Sequence, residues 1–230
     1  MEADDEMVQA GNVSYRKVSD LPESVPIFPL TGALLLPGGR MPLNIFEPRY
    51  LAMIDDAFIG KRLIGMVQPR LDGAKRAVGE PELCAVGCLG RLTSFTETGD
   101  GRYLVVLQGV CRFRVDEEIA ERNGYRQCRV RPFAADLDEA AGAEEVDRPA
   151  LLKTFRTYLK ANDLEADWES VSRAENATLV NALSMMAPYG AAEKQALLEA
   201  PDLKTRAETL IAITEISLAR EHDDEGTSLQ

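Results

Sequence analysis

The stretch VPIFPLTGALLLPGGRMPLNIFEPRYLAMIDDAFI, Val25 to Ile59, decides how the rest of the chain is read. It divides into a short strand over Val25–Leu30, a leucine-rich approach to a turn at Pro37–Gly39, and a second strand over Met41–Phe46. Proline fixes φ and glycine tolerates φ > 0, so Pro37-Gly38-Gly39 is a strong turn signal. Pro26, Pro29 and Pro42 cannot donate to a ladder, which predicts edges, strand starts or bulges for these strands. Pro48 suits the first turn of a helix, where its missing N–H would have been an orphan. From there Tyr50, Leu51, Ile54 and Phe58 recur at helical spacing and give one apolar face.

Further along, Leu63–Pro69 reads as a strand and Leu83–Glu97 as a longer one interrupted by Gly87 and Gly90, as at bends in a closing barrel. Thr98–Gly101 is a hairpin turn, after which Cys111, Phe113 and Val115 alternate with Arg112 and Arg114. Asn123-Gly124 signals a second hairpin, and beyond it Cys128 and Val130 alternate with Arg129 and Arg131. The character changes at the acidic run AADLDEAAGAEEVD, Ala134–Asp147, and from Pro149 onward the spacing predicts helices only. Ser172 to Glu175 has the pattern of a capping box before a helix that turns Leu179, Val180, Leu183, Met186 and Ala187 inward. Asp202 is placed to cap the last helix. The predicted class is α+β: a β-barrel or folded sheet over 23–135, an acidic linker over 136–147 and a small α-helical bundle over 148–220. Residues 1–22 and 221–230 are expected to be disordered tails.

Composition narrows the function. The 230 residues carry a formal net charge of −12, which opposes sequence-independent attraction to nucleic acid or anionic lipid. No apolar run approaches the length of a bilayer span, and the acidic N-terminus lacks the layout of a signal peptide, so a cytoplasmic location is expected. There the four cysteines, Cys84, Cys88, Cys111 and Cys128, are expected to be reduced and packed as small apolar residues rather than to hold zinc. His222 is the single histidine, leaving almost no material for histidine-based chemistry. There is no phosphate-binding G-x-x-x-x-G-K-[ST] loop and no G-x-S-x-G elbow. A Ser–Lys dyad needs only proximity in space, so the sequence leaves it open. No catalytic residue, metal or cofactor is expected.

FPL…LLPGGRMPLNIFEPRYLAMI resembles the opening of the substrate-binding N-terminal domain of Lon proteases, in its free-standing version. LVNALSMMAPYGAAEKQALLEAPDLKTRAETL, Leu179–Leu210, is similar to the helical end of the same family. The resemblance implies a PUA-like barrel followed by helices. It also implies a recognition function without the ATPase and Ser–Lys peptidase modules that follow this domain in full-length Lon proteases. The implied partners are unfolded or partly folded polypeptides and a separate ATP-dependent protease, with no membrane.

Two constellations are candidate sites. The first is Leu35 and Leu36 with Glu47, Arg49 and Tyr50, a protein-binding surface. In an extended segment Leu34 and Leu36 point one way and Leu35 the other, so one face is core and the other is open to a partner. Arg49 stands in the first turn of a helix, where the macrodipole disfavours a cation, and Glu47 is the expected neutralising partner. A groove between barrel and bundle is the expected location, since sites favour such junctions. The second is Arg112, Arg114, Arg129 and Arg131, which share one face if their strands pair and would make an RNA track. Glu117, Glu118 and Glu121 beside them, and the lack of interleaved aromatics, favour a solvated, cross-paired face instead.

Overall fold

The turn at Pro37 forms as its residue types demand. Gly38 has φ +75°, and Gly39 N–H donates to the Leu36 carbonyl at 3.0 Å. In a computed structural model, which describes residues 7–76, 79–138 and 141–227, this turn lies between β3 (Ser24–Pro29) and β4 (Arg40–Ile45). Then come α1 (Pro48–Ile59), β5 (Leu63–Pro69), β6 (Leu83–Glu97), β7 (Tyr103–Arg122) and β8 (Tyr125–Pro132). The sheet runs β4-β7-β6-β5-β3-β8, and β7 also pairs with β8, so it closes into a barrel with β4 as a flap. The β3–β5 pairing is parallel and the others are antiparallel. Register shifts at Gly90 and near Thr93 bend β6 into the closure. Pro42 is on the edge strand as expected. Pro26 and Pro29 are inside the sheet instead, on a strand whose residues 24–27 pair with β8 and 27–29 with β5, so each half keeps an unpaired flank.

The helical half comprises α2 (Arg148–Ala161), α3 (Trp168–Arg173), α4 (Asn176–Met186), α5 (Ala191–Glu199) and α6 (Leu203–Thr227). Its α+β order, strands first and helices afterwards, matches the sequence expectation. What keys the two halves together is the loop from Leu30 to Gly39. Lys194 Nζ donates to the Gly32 carbonyl, Asn181 Nδ2 to the Pro37 carbonyl, and Gln68 Nε2 to both the Ala191 carbonyl and Gln195 Oε1. Leu34, Leu35 and Leu36 are all buried, in one apolar cluster with Leu179, Val180, Leu183 and Leu197.

Several boundaries differ from expectation. Within the expected N-terminal tail, β1 (Val8–Ala10) and β2 (Val13–Tyr15) form a hairpin whose Val8, Ala10 and Tyr15 pack with Val110 and Cys111 on the barrel. Gln108 clamps it, accepting from Gly11 N–H and donating to the Gln9 carbonyl. Residues 1–6 lie outside the described residues. The acidic run is not a free linker, because Leu137 and Val146 are buried and Asp136 is ion-paired with Arg112. α6 continues to Thr227, through most of the expected C-terminal tail; residues 228–230 lie outside the described residues. The capping box does not form: Ser172 Oγ donates within α3 to the Glu169 carbonyl, and Glu175 precedes α4 without a side-chain cap. Met186 is 79% exposed, while its neighbour Met185 packs against Gly39. Asp202 does cap α6, accepting from Thr205 N–H at 2.7 Å.

α1 is tied to the second hairpin through Asp56. Tyr125 Oη donates to its carboxylate at 2.7 Å, Asn123 Nδ2 donates at 2.9 Å, and Arg122 pairs at 3.2 Å. The Tyr125 bond, then Asn123 and Arg122, hold the Asp56 carboxyl below its ordinary range against burial. Burial, then Asp56, pushes Tyr125 up to about 12. A depressed carboxyl stabilises above its unfolded value of ~4 and loses that contribution as pH falls through the lower folded value. A raised phenol stabilises below its unfolded value of ~10 and loses that contribution as pH rises through the folded one. The stability difference between wild type and Tyr125→Phe is therefore expected to be widest between these limits. Denaturant titrations should show it narrowing at both ends; a difference that stays constant from acid to alkali would refute the tie.

Candidate functional site

β4 ends at Ile45 and α1 begins at Pro48, so Phe46 and Glu47 form a corner. Along β4 the alternation puts Pro42, Asn44 and Phe46 toward solvent and Ile45 into the core, and Phe46 ends up 62% exposed. The corner overhangs a cleft of about 360 Å³. Its lining includes Phe28 and Leu30 from β3 and the following loop, Glu47, Arg49 and Tyr50 from the corner and α1, and Glu80 and Arg126.

Tyr50 is buried on the cleft floor with its ring centroid 4.4 Å from that of Phe28. Burial, acting against the neighbouring Arg49, raises its phenol above the ordinary value. The Arg49 guanidinium lies 4.6 Å from the Tyr50 centroid. It is held on both flanks, by Glu47 at 3.0 Å and by Glu80 at 3.4 Å. This is the neutralisation expected for a cation in a first helical turn. The network continues outward: Arg76 reaches Glu80, Glu118 and Glu121, and Arg126 pairs with Glu118 and donates to the Pro81 carbonyl. Arg49, Arg76 and Arg126 thus face Glu47, Glu80, Glu118 and Glu121, leaving one carboxylate in excess. The result is an apolar cleft with an exposed aromatic at its lip and a pre-organised polar floor. Such an arrangement suits an apolar side chain docking under the aromatic; none of the residues lining it is a serine, cysteine or lysine.

Glu47, Arg49 and Tyr50 are thus brought together, but Leu35 and Leu36 are not part of this surface. They are 1% and 0% exposed, because the barrel takes one side of the segment and the helical half takes the other. The cleft lies on the barrel flank; the groove between barrel and bundle is a separate cavity. Phe46 is not among the residues expected at the site, although strand alternation alone places an aromatic on the polar face there. Glu80 carried no signal, since only the fold of the loop after β5 brings it to Arg49.

The arginine stripe does not make one open track. Arg112 is 2% exposed and bound to Asp136 at 2.7 Å, while Arg129 pairs with Glu117 at 2.8 Å and Arg131 with Asp116 at 2.6 Å. Alternation does put Arg112 and Arg114 on one face of β7. The helical half covers that face at Arg112 and leaves it open at Arg114. Cys88, Cys111 and Cys128 are buried and Cys84 is half-buried, all as free thiols. Burial raises the first three, Cys128 to about 12, which makes them poor nucleophiles. Among the described residues no group of three or more acidic, histidine or cysteine side chains could hold a metal. Nor is any helix there long and apolar enough to cross a membrane.

Comparison with known proteins extends this picture. Residues 24–215 match the family model described as the ATP-dependent protease La (LON) substrate-binding domain. The chain is 28% identical over 201 residues to Lon protease 2 of Myxococcus xanthus, covering 84% of this chain and 24% of that protein. It is 31% identical over 201 residues to the Lon protease of Parabacteroides distasonis, covering 83% and 24% respectively. The chain therefore spans about a quarter of the length of these curated relatives. Among solved structures it is similar to a Lon N-terminal domain protein from Xanthomonas campestris, with a TM-score of 0.61 and 26% identity. That match covers 82% of this chain and 97% of the other.

Proposed function

This chain belongs to the family of ATP-dependent protease La (LON) substrate-binding domains, and from that premise we propose that it captures unfolded or partly folded polypeptides in the cleft beneath Phe46. The observation that carries the reading is an aromatic left 62% exposed over an apolar cleft whose arginines are already paired with glutamates. Exposed aromatics beside arginine are the usual anchors of protein interfaces. Shallow apolar surface supplies sequence-tolerant affinity, and the excess carboxylate favours segments that carry basic residues next to apolar ones. The chain performs recognition without bond-breaking chemistry of its own and presents its clients to a separate ATP-dependent protease. Free thiols, three of them buried, suit the reducing cytoplasm in which it would do so.

The test is binding of a fluorescently labelled, permanently unfolded polypeptide to the purified chain. Phe46→Asp is expected to weaken binding by ~10-fold or more, the size of an aromatic hot spot, while leaving thermal unfolding unchanged. Wild-type protein that fails to bind, or a variant that binds equally well, would overturn the reading.

A further inference from the structure

Between the barrel and the helical half lies a second cavity, of about 370 Å³, within the size range of small-ligand sites. Its lining includes two buried guanidiniums with unequal partners. Arg112 is fully engaged, by both oxygens of Asp136 and by the carbonyls of Leu198, Ala200 and Pro201. Arg206, 3% exposed, reaches only neutral oxygens: Nε donates to the Leu197 carbonyl at 3.0 Å and Nη1 to Asn181 Oδ1 at 2.8 Å. Its Nη2 has no acceptor. Arg112 is thus matched by the carboxylate of Asp136, whereas Arg206 has no carboxylate in hydrogen-bond contact, Asp202 being a further acid of the same lining. Burial, then Arg112, lowers Arg206 to about 10, so it remains charged near neutral pH. Asp202, whose carboxylate caps the long helix α6, and Leu203 line the same wall. A buried donor on an incompletely compensated cation is costly, and an incoming anionic acceptor relieves it.

The mouth has the opposite sign. The exposed Asp138, Glu145, Glu175 and Asp202 line it, and Lys204 stands 4.0 Å from Glu145. A simple anion is attracted by the floor and repelled at the entrance, and a simple cation meets the reverse. Only a ligand bearing both charges in the right order satisfies the two.

We infer that this cavity binds a zwitterion, its carboxylate at Arg206 and its cation between Glu145 and Glu175. The chemistry is that of a basic α-amino acid, either free or as the C-terminal residue of a polypeptide. The site stands apart from the Phe46 cleft and does not depend on it.

Isothermal titration of the full chain tests this with four probes: L-arginine, L-argininamide, and Gly-Gly-Gly-Arg as acid and as amide. The acids are expected to bind, and amidation to weaken binding by ~10-fold, the value of a charge-assisted hydrogen bond. Binding of arginine alone marks a free amino acid as the source, and binding of the peptide acid alone marks a chain end; each supports the site. Arg206→Lys is expected to erase the preference for acid over amide. Should that variant fold poorly, Glu145→Gln with Glu175→Gln changes only exposed groups and is expected to weaken the acids several-fold. Phe46→Asp is expected to leave these titrations unchanged, which separates this site from the polypeptide cleft. No binding by any probe, or equal binding of acids and amides, would overturn the inference and leave Arg206 a structural cation.

Discussion

Arg112→Met is expected to cost about 3–5 kcal/mol of folding stability, the range for breaking a buried ion pair from one side. Arg112 does two jobs at once. Its Nε and Nη2 hold Asp136 at 2.8 and 2.7 Å, which fastens the acidic segment after β8 to the barrel. Its Nη1 donates to the Leu198 carbonyl at 3.1 Å and to that of Ala200, at the C-terminal end of α5. Those carbonyls have no partner within their own helix and carry its negative dipole end, so a barrel residue caps a helix of the other half. Methionine fills the volume but strands the Asp136 carboxylate and the helix end together. Equilibrium unfolding in urea measures the loss. Adding Asp136→Leu should recover part of it, because an apolar pair tolerates the interior better than a lone carboxylate does. A single variant losing less than about 1 kcal/mol would show that the pair contributes no more than a surface ion pair.

Gly109→Ala is expected to destabilise by about 3 kcal/mol or more, at or beyond the upper end for overpacking. A Cβ at this position would come within 2.0 Å of the Leu36 carbonyl oxygen and 2.7 Å of its carbon. The neighbour is backbone, and it cannot yield cheaply. Gly38 N–H donates to the Gly109 carbonyl at 3.0 Å, and Gly109 N–H donates to the Gly39 carbonyl at 2.8 Å. The turn is thus laced to β7 from both sides, and moving it drags the Leu34–Leu36 segment out of the shared core. Gly38→Ala is the informative companion, with open space around it but φ at +75°, so its cost is about 1–2 kcal/mol of backbone strain. If denaturation midpoints place Gly109→Ala at or above Gly38→Ala in stability, the close approach of turn and strand is wrong.

Both variants probe the loop and strand that join the halves, and that junction is where reading from sequence and folding in space part company. The elements themselves were legible. The strands over 63–69 and 83–97, the Asn123-Gly124 hairpin and the Pro48 helix start all follow from local rules about φ, hydrogen-bond donors and period. So does the pairing of Glu47 with Arg49, two residues apart. The candidate site was legible where it is local, in Glu47, Arg49 and Tyr50, and illegible where it depends on burial. Leu35 carries the same alternation whether solvent or a helix covers its outer side. Arg112 and Arg114 are equally indistinguishable on one strand face.

Local preference, acting over a few residues, determined the order of elements and the barrel-then-helices class, while the family was marked by the resemblance of two longer stretches. Which apolar residues are surface and which arginines are free was decided only when the helical half closed on the barrel. Burial is a property of what lies opposite a residue, and groups opposite Leu35 and Arg112 come from segments far away in the chain.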